Sequence, residues 1–266
     1  MKKLLILLCS LLISFNSYGK TVCVEENSVQ ERGGTYYLVN QQEPFTGDNL
    51  CAYTNSGQYH SKGKIKKGKK DGKWIWWHEN GEKEAEGNYK DGELDGKVTY
   101  WYENGQINGE GNYKDGELDG KQTQWDENGQ KKWERNYKDG KADGKWTNAY
   151  RNCLDCYRVE HYKDGNRDGK WTNWYENGQK KAEANYKEGK KDGKWIWWHE
   201  NGQIRTEQNY KDGELDGYRA NWYENGQKMG EGYYKDGNRD GKWTDWDENG
   251  QKEWECNFSD GRRLCK

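Results

Sequence analysis

Acids are the most abundant residues able to do chemistry in this chain: 46 Asp and Glu against 44 Lys and Arg. Paired carboxylates hydrolyse glycosides when one is protonated and its neighbour ionised. Here Glu86, Glu110 and Glu183 fall at the same place in successive near-copies of one segment. Catalysis needs one asymmetric, partly desolvated pocket, so these acids read as structural. Asp91-Gly92-Glu93-Leu94-Asp95 has some features of a calcium loop, but its copies at Asp164–Asp168 and Glu188–Asp192 put Arg or Lys at the ligand positions. Turn chemistry explains all three. Cys153-Leu154-Asp155-Cys156 is a CxxC without the βαβ surroundings of a redox motif and with half the ligands of a zinc site; it reads as a staple. His60, His78, His161 and His199 are scattered. No enzyme, catalytic set, metal or cofactor is expected.

The aromatic residues offer more. There are 16 Trp and 20 Tyr against 3 Phe in 266 residues, with 30% hydrophobic and 34% charged residues. Such polarity alone suggests disorder, but disordered chains are poor in aromatics. One Pro and 35 Gly exclude collagen and proline-rich stalks. Rings must replace the missing aliphatic core, or bind something. The candidate binding row is Trp74, Trp146, Trp171, Trp195 and Trp243, rings that could stack on sugars or hold protein side chains.

The elements that position these rings are repeats. Gly72, Gly96, Gly120, Gly144, Gly169, Gly193, Gly217 and Gly241 recur in steps of 24 residues, with one step of 25. A degenerate unit opens at Gly47. A fixed period in the twenties signals a repeat array. Gly68–Gly81 and Gly189–Gly202 are identical, as are Tyr162–Thr172 and Tyr234–Thr244, which suggests growth by duplication. Each unit reads as a hairpin: a Trp/Thr/Tyr strand such as Lys170–Tyr175, a Glu-Asn-Gly turn, and a second strand such as Gln179–Lys187. Asp-Gly-x-x-Asp-Gly then leads to the next unit. The expected fold is all-β, an elongated single-layer antiparallel β-meander of about nine 24-residue β-hairpin repeats.

Loop length decides which residues share a face. A two-residue Asn-Gly loop would set Trp174 on the side of Glu183. A three-residue loop with a glycine bulge sets Trp174 and Thr172 with Ala182, Ala184 and Tyr186, and sorts large rings against small partners. That arrangement is preferred. It buries the row Trp77, Trp101, Trp125, Trp174, Trp198, Trp222 and Trp246 and leaves the Trp74 row on the wetter face.

Lys2 and Lys3, the apolar run Leu4–Ile13 and Ser17-Tyr18-Gly19 read as a secretory signal peptide over residues 1–19. Residues 20–46 then form an N-terminal cap, 47–71 the degenerate first repeat, and 72–266 eight repeats with a C-terminal disulfide cap. Export to the periplasm, cell surface or medium is expected. Cleavage shifts the net charge from −2 to −4 by removing two lysines. Mixed, nearly balanced charge gives no electrostatic case for nucleic acid. No later stretch is apolar enough to span a membrane as a helix. Six cysteines follow the leader, and proximity pairs them as Cys23–Cys51, Cys153–Cys156 and Cys256–Cys265, one of fifteen pairings.

The Trp/Tyr strand, the Glu-Asn-Gly-Gln turn and the Tyr-Lys-Asp-Gly-x-x-Asp-Gly closure resemble the bacterial variant of the MORN (membrane occupation and recognition nexus) repeat over Gly47–Cys265. Pro44-Phe45-Thr46-Gly47 is similar to that family's opening unit. The resemblance implies a binding scaffold and no shared catalytic residues. Some members are antitoxin components of toxin–antitoxin pairs, some are exported, and eukaryotic relatives associate with membranes and protein scaffolds. A protein partner, including antitoxin-like or immunity-like neutralisation, is the leading expectation; a cell-envelope glycan held by the Trp74 row is the alternative. Oligomeric state is not legible.

Overall fold

A computed structural model describes residues 20–25, 27–149 and 157–265. The leader expected over residues 1–19 and the staple expected at Cys153–Cys156 lie outside the described residues. Among the described residues the fold is all-β: a 25-stranded sheet and a separate two-stranded one. Thr21–Val22 runs parallel to Gly47–Ala52. The other pairings of the large sheet are antiparallel, each strand beside its chain neighbours. Val29–Arg32 and Thr35–Leu38 form the small hairpin.

Two turns alternate along the repeats. At Asp91-Gly92 both residues have positive φ, 51° and 95°, the type I′ geometry that matches strand twist. Asp115, Asp139, Asp164, Glu188, Asp212, Asp236 and Asp260 repeat it. The other turn is the expected three-residue loop: Tyr175 N–H donates to the Gln179 carbonyl, enclosing Glu176, Asn177 and Gly178.

The register past that loop differs from expectation. Trp174 pairs with Lys180, but Asn173 pairs with Ala182, so Lys181 is an extra, bulged residue. A β-bulge of this kind shifts pairing by one residue, and a one-residue shift moves every side chain to the other face. Trp171 therefore stands opposite Ala184, and Thr172 opposite Glu183. The same bulge follows Trp76, Trp197, Asn221 and Asp245.

The two faces are thus exchanged. Trp74, Trp195 and Trp243 are 1%, 5% and 5% exposed, with Ala182 and Ala184 buried on their face. The seven-Trp row beginning at Trp77 is half-buried on the other face. At the N-terminal end Val22, Phe45 and Ile65 pack with Trp74. Asn49, fully buried, accepts a hydrogen bond from Val24 N–H at 2.9 Å and donates one to Ser61 Oγ at 3.1 Å. Cys23–Cys51 and Cys256–Cys265 are disulfide-bonded at the two ends.

Candidate functional site

The indoles on the first face sit over the preceding unit. A Cβ on Gly63 would collide with the Trp74 ring, and one on Gly232 with the Trp243 ring. Four rings of the row also satisfy their polar edge. Nε1 donates to a backbone carbonyl ten residues upstream: Trp74 to Lys64, Trp146 to Asn136, Trp195 to Asn185 and Trp243 to Tyr233, at 2.9–3.1 Å. Rings pack around them, with Trp195 5.2 Å from both Tyr186 and Tyr210. Single cations lie over several of these rings, such as Lys191 at 4.6 Å from Trp195 and Arg239 at 4.3 Å from Trp243. The row named from sequence as an open binding surface is therefore the inter-unit packing in three of its five members. Trp146 and Trp171 are half-buried. Trp171 has Ala184 opposite it within its own hairpin, but on the preceding strand, where Val159 pairs with Thr172, its neighbour is Glu160 instead of a small residue, and its buried Nε1 has no partner.

The second face carries an ion-pair ladder. Glu86 receives Lys73 and Lys83, Glu134 receives Lys121 and Lys131, and Glu183 receives Lys170 and Lys180, all within 2.5–2.9 Å. Hydrogen bonds from Lys73 and Lys83 hold the Glu86 carboxyl below the ordinary range, and those from Lys121 and Lys131 do the same for Glu134. Burial pushes Glu183 up, but its two lysines outweigh that and leave it lowered. An acid held ionised by two ammonium groups is poorly placed to donate a proton, so the repeated acids fit a structural role. Beside this ladder run the half-buried Trp rings, with Lys83, Lys180 and Lys228 at 5.3, 5.6 and 5.8 Å from Trp101, Trp198 and Trp246.

The turn edge is stitched from unit to unit, a feature the sequence reading missed. Tyr102, Tyr175 and Tyr223 hydroxyls donate to the carbonyls of Trp125, Trp198 and Trp246 at 2.7–3.0 Å. His78 and His199 reach Trp101 and Trp222 in the same way. Asn80, Asn177, Asn201 and Asn225 amides donate to the Glu carbonyl of the next turn. The signal was present in the sequence at unit spacing: Tyr or His after five of the seven Trp of the Trp77 row, with Asp after Trp125 and Trp246, and an Asn in the turn that follows.

Among the described residues no group of His, Cys, Asp or Glu could hold a metal ion, and no helix is long and apolar enough to cross a membrane. Fold and surface together define a β-repeat scaffold with a ring-lined core face and a charged, ring-studded opposite face. The sequence model of the MORN repeat variant matches residues 70–91, 94–115, 118–139, 167–188, 191–212, 215–236 and 239–260, more than half of the chain, and the chain belongs to that family. A comparison with curated proteins finds no match.

Proposed function

We propose that this chain is an exported, non-enzymatic scaffold, a single-layer meander of about nine hairpin units, that binds a protein partner on its Lys–Glu face. One observation carries the reading: Trp77, Trp101, Trp125, Trp174, Trp198, Trp222 and Trp246 are half-buried at unit spacing on that face. Trp and Tyr, apolar in body and polar at the edge, are the side chains protein interfaces favour. Flanking Lys–Glu pairs supply a polar rim. The recognition row is thus the Trp77 row in place of the Trp74 row chosen from sequence. Disulfides at both ends suit an oxidising compartment, in line with the leader at residues 1–19. Neutralisation of an exported toxic partner is the specific form proposed.

The experiment is a pull-down from cell-envelope extract with the chain beginning at Lys20. The captured protein is then purified and its binding to wild type and to Trp198→Ala/Trp222→Ala measured. Binding by wild type, lost in the folded double variant, is expected. Undiminished binding by that variant overturns the assignment of the face, and binding to envelope glycans in place of protein favours the glycan alternative.

A further inference from the structure

The unit that opens at Gly144 departs from its neighbours. It is one residue longer, and its strands pair from Gly144↔Tyr162 to Ala149↔Tyr157 without a bulge. Family matching also stops at residue 139 and resumes at 167. The charges here are unusual as well. Gly87, Gly111, Ala184 and Gly232 occupy the position that Arg135 and Glu160 take in this region, and Arg158 stands where Ala85, Gly109, Ala182 and Gly230 stand in other units. Elsewhere on this face single cations lie over rings. Among the described residues, three guanidiniums converge here.

Their geometry is specific. Arg135 lies 4.5 Å from the Trp133 ring centroid and 4.8 Å from that of Trp146, and it donates to Asn148 Oδ1 at 3.0 Å. Arg158 and Arg167 both donate to one oxygen of Glu160, Oε1, at 2.9 and 3.0 Å. Glu160 is buried, while the Arg158 and Arg167 side chains are each 37% exposed. The guanidiniums border an open depression of about 390 Å³ with Trp146 in its wall. Each guanidinium carries five N–H donors, far more than the acceptors just named. The Nε of Arg135 and of Arg158 are buried without partners. One carboxylate against three guanidiniums leaves a surplus of two positive charges, and like charges held together repel unless something offsets them.

We propose that this cluster binds a dianionic tetrahedral oxyanion: free sulfate or hydrogen phosphate, or the terminal phosphate of a phosphomonoester. The surplus of two charges matches a dianion better than a single carboxylate, and planar guanidinium forks are the side chains suited to multidentate oxyanion recognition. The wall of Trp146 offers a flat surface to whatever carries the group. The site is independent of the partner-binding face, since it lies on the opposite side of the sheet.

The test is calorimetric titration of the full chain with inorganic phosphate, inorganic sulfate and O-phosphoserine at low ionic strength. Saturable one-site binding is expected, weakened roughly tenfold or more in Arg135→Gln and in Arg158→Gln and unchanged in Arg262→Gln at the C-terminal end. Glu160→Gln removes the competing carboxylate and is expected to tighten binding, a gain that a purely structural ion pair does not predict. Tighter binding of O-phosphoserine than of the inorganic ions identifies a monoester ligand; the reverse order identifies the free ion. Circular dichroism on each variant confirms folding, and Arg135→Gln carries the test if Arg158→Gln unfolds. The proposal is overturned by absence of saturable binding to any of the three, by equal weakening in Arg262→Gln, or by a folded Glu160→Gln that binds no more tightly.

Discussion

Gly63 and Trp74 form a lock between consecutive strands: the indole lies over the glycine so closely that a single methyl group there would strike its ring. Gly232 and Trp243 repeat the arrangement near the other end. The glycine in these strands is a space requirement, because the backbone is the floor on which the ring lies. Gly63→Ala and Gly232→Ala are each expected to destabilise by about 1–3 kcal/mol, the usual cost of overpacking. Chemical denaturation of the two variants checks this.

The ion-pair ladder makes stability depend on pH in a definite direction. Lys73 and Lys83 lower the Glu86 carboxyl in the folded chain, and Lys121 and Lys131 lower that of Glu134, from an ordinary value of 4.5. A carboxyl lowered on folding contributes stability that is fully present above its unfolded value and is lost as pH falls through the folded value. The melting temperature should therefore hold steady above pH 5 and fall as acid is added below about 4.5. Each surface pair is worth only about 0.2–1 kcal/mol, so the fall is the sum of many small steps. Repeating the acid titration in 1 M salt should flatten it.

The ends are tied covalently. Cys256–Cys265 joins the last full strand to the segment after Arg262–Arg263, and Cys23–Cys51 ties the residue after Thr21–Val22 to the strand Gly47–Ala52. Each is expected to contribute on the order of 2–4 kcal/mol. Cys256→Ser/Cys265→Ser should lower the unfolding midpoint, and peptide mapping without reduction should recover the 23–51 and 256–265 linkages.

The turn stitching has its own consequence. The Tyr175 hydroxyl donates to the Trp198 carbonyl of the next unit, so Tyr175→Phe removes one inter-unit hydrogen bond and keeps the ring. A loss of about 0.5–1.5 kcal/mol is expected. Hydrogen exchange should quicken at the 199–203 turn before it does at distant units.

Much of this was legible from sequence. The glycine period, the two turns, the three-residue loop and the end disulfides all follow from spacing and turn chemistry. The bulged Lys181 did not, because two adjacent lysines look alike and nothing in their identity says which is paired. That one residue reversed the faces and misplaced the candidate row of Trp74, Trp146, Trp171, Trp195 and Trp243. Charge sorting would have found the right register. Only the observed pairing puts Lys170, Lys180 and Glu183 on one side, where they meet at 2.8–2.9 Å. Matching rings to small residues was a weaker guide, since both registers satisfy it at some positions. The Arg135, Arg158 and Arg167 cluster was hidden for another reason: its members are spread over three strands and converge only once the sheet is formed.

The assignment of the faces is tested most directly by comparing Trp195→Ala with Trp198→Ala, measuring thermal unfolding of each beside binding to the identified partner. Trp195 is 5% exposed, hydrogen-bonded to the Asn185 carbonyl and ringed by Tyr186 and Tyr210, so its truncation should cost about 3–5 kcal/mol. Trp198 is half-buried on the Lys–Glu face; its loss should cost about 1 kcal/mol and weaken partner binding. A larger destabilisation from Trp198→Ala, or loss of binding confined to a folded Trp195→Ala, would contradict the assignment of core and recognition faces.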